Sequence, residues 1–206
     1  TIIDAETGEV LSMDGDERGM AVYVPKEDEL AIRTDAELLA YAERALDITL
    51  ERTRAPLPIE RDALTEAVKA RATADGLAKV LAGHIRSAEA RREATIYCED
   101  ARLREEIAAG GLIPRLQAAG LLAKRGQKQI LAESILSTLA DHGITLWQSM
   151  MWQKMKRYSR HYDEYAAECH EKGEVPTAKG FLAYVKAFGV LKHGLRPLFI
   201  GKTHDC

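Results

Sequence analysis

The chain has 206 residues, of which 46% are hydrophobic and 30% are charged, and its formal net charge is −3. A chain of this length can bury one sizeable core or two small ones. No apolar run approaches the ~20 residues that a membrane-spanning helix needs, so no membrane partner is expected. The three cysteines, Cys98, Cys169 and Cys206, lie far apart. They predict free thiols in a reducing cytoplasm.

The first 33 residues are acidic and predict extended structure. Residues 1–50 carry 13 acidic and 4 basic side chains, a local balance of −9. A Thr-Gly turn lies between two short apolar runs, and a β-branched run that follows ends at Pro25. We therefore expect an acidic β element over residues 1–33, either as a small hairpin or as an arm that adds to a partner.

The segment from residue 34 onward predicts helices. Thr34 and Glu37 have the spacing of a capping box, in which each side chain accepts a hydrogen bond from the backbone of the other residue. A second, longer apolar pattern covers residues 60–109. We expect an interruption of this pattern at residues 73–76, because the glycine there weakens a helix by ~1 kcal/mol relative to alanine.

Two glycines and a proline near the middle of the chain are typical of a helix end. Gly110 and Gly111 follow the long apolar pattern, and Pro114 lies just beyond them. We therefore expect a helical region over residues 34–110 and a separate helical domain over residues 111–206. The predicted fold is mainly α, with a small N-terminal β element, long central helices and a helix-turn-helix-like C-terminal helical domain.

The C-terminal half is expected to contain several short helices. Apolar spacing predicts helices at residues 130–142, 145–158, 160–171 and 177–188. Ser159 and Thr177 are the expected N-caps of the last two helices.

The first two of these helices have the layout of a helix-turn-helix. Gly143 would make the tight turn between them, and Thr145 would cap the second helix with Gln148 completing a capping box. Ser149 and Trp152 would then face inward. An ordinary corner between two packed helices has the same pattern, so the spacing alone leaves DNA binding and a simple packing role open.

Positive charge is concentrated around this segment. Residues 111–160 carry 8 basic and 2 acidic side chains, a local balance of +6, which a polyanion would prefer to the acidic first quarter of the chain. A fluctuation of charge along the chain is the alternative explanation. The predicted nucleic-acid contacts are Lys124, Arg125, Lys128, Thr145, Gln148, Gln153, Lys154, Lys156 and Arg157.

A longer pattern of residues in this region resembles a family of largely uncharacterised phage and integrative-element proteins. In that family a Leu-Ala-Asp-x-Gly-Ile segment leads into a Gln-Ser-x-x-Trp-Gln-Lys helix. An acidic-aromatic helix and a Pro-Thr helix start come after it. The matching residues here are Leu139, Ala140, Asp141, Gly143, Ile144, Gln148, Ser149, Trp152, Gln153, Lys154, Tyr165, Pro176 and Thr177. The resemblance implies a mobile-element origin and a role in binding nucleic acid. The predicted location is the cytoplasm of a host cell.

The outward positions of the second helix differ from that family. Family members tend to place basic residues there, whereas this chain has Leu146, Trp147 and Met151. These side chains cannot form hydrogen bonds with guanine edges or pair with phosphates. An exposed face of this composition is typical of a protein interface or of a wedge inserted between bases. Burial under the C-terminal helices is the alternative for the same residues.

The sequence therefore predicts a leading function and an alternative. The first is a non-enzymatic protein that binds DNA through its helix-turn-helix-like C-terminal half. The alternative is an interaction factor that engages a host or defence protein through the apolar second helix. A phage protein and a second copy of this chain are further expected partners. No phosphate loop, nucleophile motif or metal-ligand spacing is found, so we expect neither enzyme activity nor a cofactor nor a bound metal.

Overall fold

The computed structural model describes residues 2–3, 10–11, 33–124 and 136–193, with side chains described for residues 33–124 and 136–187. The α-helices within these residues are, in chain order, α1 (Asp35–Thr53), α2 (Ala63–His84), α3 (Ala88–Ala118), α4 (Leu146–Arg157), α5 (Tyr162–Lys172) and α6 (Ala178–His193). The mainly α fold is therefore confirmed. None of the described helices is long and apolar enough to cross a membrane.

Two strands of two residues each lie at the N-terminus. β1 (Ile2–Ile3) pairs antiparallel with β2 (Val10–Leu11), with Ile2 opposite Leu11. The other residues of the range 1–32 lie outside the described part of the chain. The acidic β arm as a whole therefore stays a prediction.

The start of α1 follows the predicted capping box. The Thr34 N–H donates to Glu37 Oε2 at 2.8 Å, and the Glu37 N–H donates to Thr34 Oγ1 at 3.3 Å. Both bonds join residues three apart, so the local sequence is enough to specify this helix start.

The interruption predicted at residues 73–76 is wrong, because α2 continues through it. Ala74 and Leu77 are both buried on its inner face, and this packing outweighs the helix weakness of the glycine between them. The break comes instead after His84. There the Asp35 carboxylate accepts hydrogen bonds from the backbone N–H groups of Arg86 at 2.9 Å and Ser87 at 2.8 Å. These two bonds connect the start of α1 to the turn between α2 and α3 and lower the pKa of Asp35.

The predicted helix end at the two mid-chain glycines is also wrong. Helix α3 runs through Gly110, Gly111 and Pro114 without a break. A Cβ atom on Gly110 would lie 2.2 Å from the backbone oxygen of Trp152, so the backbones of α3 and α4 approach each other closely here. This glycine allows two helices to pack and does not end one. The boundary predicted between residues 110 and 111 thus falls inside a helix.

One core also extends across that boundary. Buried side chains from both predicted regions pack in a single cluster, which includes Leu64 of α2, Leu103 of α3, Trp152 of α4 and Phe181 of α6. Helix α3 lies against α1 and α2 over much of its length and against α4 near its C-terminal end. It is the element that connects the two halves of the described chain.

The last two helices follow the prediction in part. The Gly180 N–H donates to Thr177 Oγ1 at 2.9 Å, which confirms Thr177 as the cap of α6. The N-cap predicted at Ser159 is wrong, because Ser159–His161 forms a 3-10 turn and α5 begins at Tyr162. No side chain caps that start. Aromatic packing of Tyr162 against Phe181, with ring centroids 5.1 Å apart, holds α5 against α6.

The two cysteines in the described part of the chain are free thiols. Cys98 and Cys169 are both buried. Burial raises the pKa of Cys98 to about 12, so this thiol stays protonated and unreactive at neutral pH. Cys206 lies outside the described residues.

Candidate functional site

The turn before α4 has the geometry that its glycine predicts. Gly143 has a φ of 67°, in the left-handed region that glycine adopts without a steric penalty. Its N–H donates to the Ala140 carbonyl at 2.9 Å, and the next N–H, that of Ile144, donates to the Leu139 carbonyl at 2.9 Å. Ile144 is buried beneath the turn. The corner between the preceding segment and α4 is therefore specified by local bonds.

The helix predicted before this turn is not found in its described part. Ser137 forms an isolated parallel β bridge with Leu122, and Ala140–His142 is a single 3-10 turn. The prediction of a helix over residues 130–142 is thus wrong from Ser137 onward. Residues 125–135 lie outside the described part, and a helix-turn-helix is not confirmed.

The three uncharged residues predicted to contact nucleic acid, Thr145, Gln148 and Gln153, form hydrogen bonds within α4 and its N-cap. The Thr145 N–H donates to Gln148 Oε1 at 2.8 Å, and the Gln148 N–H donates to Thr145 Oγ1 at 3.1 Å, which is the predicted capping box. Gln153 Nε2 donates to Ser149 Oγ at 2.9 Å. These bonds hold the three side chains against their own helix, so each would have to break a bond to use the same atom on a base edge.

Ser149 and Trp152 of α4 face the core, as predicted. Ser149, Trp152 and Met155 are buried against the core, and Trp152 is only 3% exposed. The Arg71 guanidinium from α2 lies over the Trp152 ring, 5.8 Å from its centroid. The contact of Trp152 with Gly110 fixes both the rotation and the distance of α4 relative to α3.

The outer face of α4 carries exposed apolar side chains at its N-terminal half. Trp147 is 69% exposed, Met150 is 58% exposed and Leu146 is 45% exposed. The outward position predicted for Met151 is wrong, since this residue is half-buried and packs on the core. Met150 takes its place, because it lies about 200° around the helix from Trp152, which is the buried centre. The position of Trp152 was the signal that would have identified Met150.

Basic residues continue the same outer face at the C-terminal half of α4. Lys154 and Arg157 follow Trp147 and Met150 at spacings of three and four residues, and both are exposed. Neither forms an ion pair with any residue in the described ranges. The outer face of α4 is therefore apolar at one end and cationic at the other.

Lys156 points to a different side of the helix. A Cβ atom on Gly111 would lie 2.9 Å from Lys156 Cε and 3.2 Å from its Cδ, so the aliphatic part of this side chain lies directly over Gly111. Of the other predicted basic contacts, Lys124 is exposed, whereas Arg125 and Lys128 fall outside the described residues. The structure thus places Lys154 and Arg157 on one face of α4 and Lys156 on another.

A carboxylate lies close to the apolar end of α4. Asp141 accepts hydrogen bonds from the Thr138 backbone N–H at 2.7 Å and from the Thr138 hydroxyl at 2.9 Å. These two bonds lower the pKa of Asp141, so it remains negatively charged at neutral pH. This negative charge lies in the turn that precedes the apolar end of α4.

A cleft of about 550 Å³ opens beside the basic end of α4. It lies between the C-terminal end of α1, the segment that follows α1, the C-terminal half of α3 and the turn between α4 and α5. We call it the basic cleft, because four of its lining side chains are cationic and one is acidic. These five side chains are Arg54, Arg104, Arg115, Lys156 and Asp163.

The cations of the basic cleft differ in their partners. Arg104 Nε donates to Asp100 at 2.8 Å, and its Nη1 donates to Asp163 at 2.7 Å, so two carboxylates neutralise this arginine. Arg115 Nη1 donates to the Leu57 carbonyl at 2.7 Å and has no carboxylate partner in the described part of the chain. Arg54 is exposed and likewise makes no ion pair with a described residue.

Tyr162 also lines the basic cleft. The Arg104 guanidinium lies over its ring, 5.0 Å from the centroid. Its hydroxyl group is buried and forms no hydrogen bond with a described residue. Burial, together with the nearby charge of Asp100, raises the pKa of Tyr162 well above its ordinary value, so this side chain adds no negative charge to the cleft.

Comparison with protein-family models, with curated proteins and with solved structures found no match for this chain. The resemblance to the phage and integrative-element family therefore stays a prediction. Among the described residues, no group of three or more histidine, cysteine, aspartate or glutamate side chains is placed to hold a metal ion. The geometry of α4 and of the basic cleft is what bears on function.

Proposed function

We propose that this protein is a non-enzymatic DNA-binding protein of a phage or other mobile element, and that it contacts DNA phosphates through the basic end of α4. The observation that carries the proposal is the exposure of Lys154 and Arg157 on one face with no carboxylate partner in the described ranges. By contrast, Arg52 and Arg71, which lie between helices of the bundle, each pair with a buried glutamate. Unpaired surface cations are free to replace the counterions of a phosphate backbone.

The same face favours contact with the DNA backbone over reading of base edges. Leu146, Trp147 and Met150 occupy the end of α4 where a recognition helix contacts bases, and they have no hydrogen-bonding groups suited to that task. Thr145 and Gln148 are engaged in the capping box. We therefore expect little sequence preference, with Trp147 and Met150 contributing apolar contacts of the kind that architectural DNA-binding proteins use.

The dependence of DNA affinity on salt tests this proposal. Each phosphate contact contributes about 0.9 to the slope of log K against log salt, so Lys154→Gln/Arg157→Gln should flatten the slope by about 1.8. The matched control is Arg44→Gln/Arg86→Gln, which removes the same charge from exposed positions that lie outside α4 and outside the lining of the basic cleft. Equal slopes for the α4 variant and the wild-type chain would overturn the proposal. Equal effects of both double variants would reduce it to a general effect of net charge.

A second function is favoured by a different observation, the 69% exposure of Trp147 beside Leu146 and Met150. Tryptophan side chains are enriched among the residues that dominate protein–protein binding energy. The alternative proposal is therefore an interaction factor that binds a host or phage protein, or a second copy of this chain, through the apolar end of α4.

Capture from host lysate with and without nuclease separates the two functions. A captured protein that survives nuclease treatment and is lost with Trp147→Ala, but not with Lys154→Gln/Arg157→Gln, would favour the interaction factor. Capture that disappears with nuclease and with the lysine and arginine replacements would favour DNA binding. Purified protein should be run beside it by size-exclusion chromatography, where a dimer lost in Trp147→Ala would identify the partner as a second copy.

A further inference from the structure

We infer that the basic cleft is a phosphate-binding site. The phosphate comes either from a nucleic-acid strand that continues past the basic end of α4 or from a free nucleotide. The first source rests on the proposed function, whereas the second does not. The cleft volume of about 550 Å³ falls within the roughly 300–1,000 Å³ of sites that hold small ligands.

The charge of the basic cleft favours an anion. Its lining contains four cationic side chains and one carboxylate, that of Asp163. Asp163 and the buried Asp100 behind it both pair with Arg104. Arg54, Arg115 and Lys156 are left without a carboxylate partner in the described part of the chain, and these three cations come from different segments that converge on one space.

Arg115 is held ready for a ligand by its bond to the backbone. Only Nη1 of its guanidinium is engaged, with the Leu57 carbonyl at 2.7 Å. A guanidinium has five N–H donors, so the others remain for oxygen atoms of a ligand. A planar group with paired donors suits the oxygens of a phosphate, and an anchored one loses less conformational entropy on binding.

Lys156 is directed to the basic cleft by the absence of a side chain on Gly111. Its aliphatic carbons lie where a Cβ atom of residue 111 would be, at 2.9 Å from Cε and 3.3 Å from Cγ. The lysine stem thus crosses the surface of α3 and reaches the cleft lining. The atom at 2.9 Å belongs to the far end of a flexible side chain, so a methyl group at residue 111 would displace the lysine while leaving the two helices in place.

Arg54 and Lys156 also lie at the C-terminal ends of α1 and α4, and Arg115 lies in the last turn of α3, so these cations offset the partial negative charge of helix ends. A purely structural role at these helix ends would make their removal lower thermal stability without changing phosphate binding. If the basic cleft binds phosphate, removal of these cations must weaken phosphate binding in a chain that still folds. Binding and stability must therefore be measured on the same variants.

The experiment uses the full chain with two probes, ADP without divalent metal and a short DNA duplex. The variant is Arg54→Gln/Lys156→Gln, and Arg44→Gln/Arg86→Gln is the matched control. Isothermal titration gives the ADP affinity, fluorescence anisotropy gives the DNA affinity, and circular dichroism melts show that each variant is folded. Gly111→Ala is a further variant that displaces Lys156 and keeps every charge.

Each outcome decides the inference. If ADP binds and Arg54→Gln/Lys156→Gln weakens it by about tenfold or more, the cleft holds a free nucleotide, because both replacements remove charge-assisted hydrogen bonds to its phosphates. If only DNA binding weakens, with a slope flatter by about 1.8, the cleft holds strand phosphates. Unchanged affinity for both probes in a folded variant, or in Gly111→Ala should the double variant not fold, overturns the site.

Failure of the inference and failure of the proposed function remain separable. The proposed function is tested on Lys154 and Arg157, which do not line the basic cleft. A nucleotide-binding cleft would stand even if those two residues had no effect on DNA. Conversely, a DNA affinity that depends on them and not on Arg54 or Lys156 would keep the proposed function and remove the cleft from it.

Discussion

Charged side chains inside the helix bundle form ion pairs, whereas the exposed cations of α4 have no carboxylate partner in the described part of the chain. Between α1, α2 and α3, the buried carboxylate of Glu105 accepts two hydrogen bonds from Arg52, and that of Glu106 accepts bonds from Arg71 and Arg102. At the basic end of α4, exposed lysine and arginine side chains meet no carboxylate of the described chain. Paired charges hold helices in a particular arrangement, whereas unpaired charges remain available to a partner.

Two neighbouring glycines of α3 also differ in what lies against them. Gly110 faces the backbone of α4, and a Cβ there would lie 2.2 Å from a backbone oxygen. Gly111 faces the flexible side chain of Lys156. The first glycine serves packing, and the second leaves room for a cation that lines the basic cleft.

The comparison between the buried and exposed faces of α4 is tested most strongly by its two tryptophans. Trp152→Ala removes a side chain that is 3% exposed and should lower the free energy of unfolding by about 3–5 kcal/mol. Trp147→Ala removes one that is 69% exposed and should change it by no more than about 0.5 kcal/mol. Urea denaturation followed by circular dichroism measures both, and equal losses would contradict this assignment of faces.

The two glycines provide the next test. Gly110→Ala should lower the free energy of unfolding by about 3 kcal/mol, because neither backbone can move away without separating α3 from α4. Gly111→Ala should be close to neutral, since the gain in helix propensity of about 1 kcal/mol offsets the displacement of Lys156. Both substitutions change one hydrogen atom to a methyl group, so each serves as the control for the other. A Gly110→Ala variant as stable as Gly111→Ala would show that the close contact does not exist.

Removal of the cation from the buried Arg52–Glu105 ion pair should lower the free energy of unfolding. Arg52→Met leaves Glu105 buried without its cation and should lower stability by about 2 kcal/mol, with much of the loss recovered in Arg52→Met/Glu105→Leu. Burial raises the pKa of Glu105, and Arg52 opposes that shift. A raised pKa means that protonation favours the folded state and that ionisation at higher pH opposes it.

The loss in Arg52→Met should therefore be larger at about pH 8 than at about pH 5. Chemical denaturation of both variants at the two pH values measures this difference. A loss independent of pH, or no recovery in the double variant, would mean that Glu105 does not carry a buried charge.

The smallest expected effect concerns the contact between α1 and the turn before α3. Hydrogen bonds from the backbone N–H groups of Arg86 and Ser87 lower the pKa of Asp35. A lowered pKa contributes stability above the unfolded-state value of about 3.9, and this stability is lost as pH falls through the folded-state pKa. Asp35→Asn should therefore reduce the dependence of the melting temperature on pH below about 4. Asp47→Asn, an exposed position on the same helix, is the matched control for loss of one carboxylate, and an equal effect of both variants would contradict the prediction.

Short-range features of this chain were predictable from its residues. The capping boxes at Thr34 and Thr145, the left-handed turn at Gly143 and the inward direction of Trp152 were all expected and are all present. Each capping box and turn depends on hydrogen bonds between residues three to five apart, and the direction of Trp152 follows from the helical period. Such features need no knowledge of what lies on the other side of the core.

Features that depend on distant contacts were predicted wrongly or missed. Gly110 has the appearance of a helix end until the backbone of Trp152 is found against it. The basic cleft had no signal in the sequence, because it joins Arg54, Arg115 and Lys156 across gaps of tens of residues.

The sequence by itself determined where α1, α4 and α6 start, how the corner before α4 turns and which half of the chain is basic. The tertiary structure decided which glycines separate helices and which bring them together, and which cations remain unpaired. The physical reason is the range of the interactions. Hydrogen bonds of caps and turns are satisfied within one turn of chain, whereas close packing and the pairing of charges depend on groups that only the folded chain brings within a few ångströms of each other.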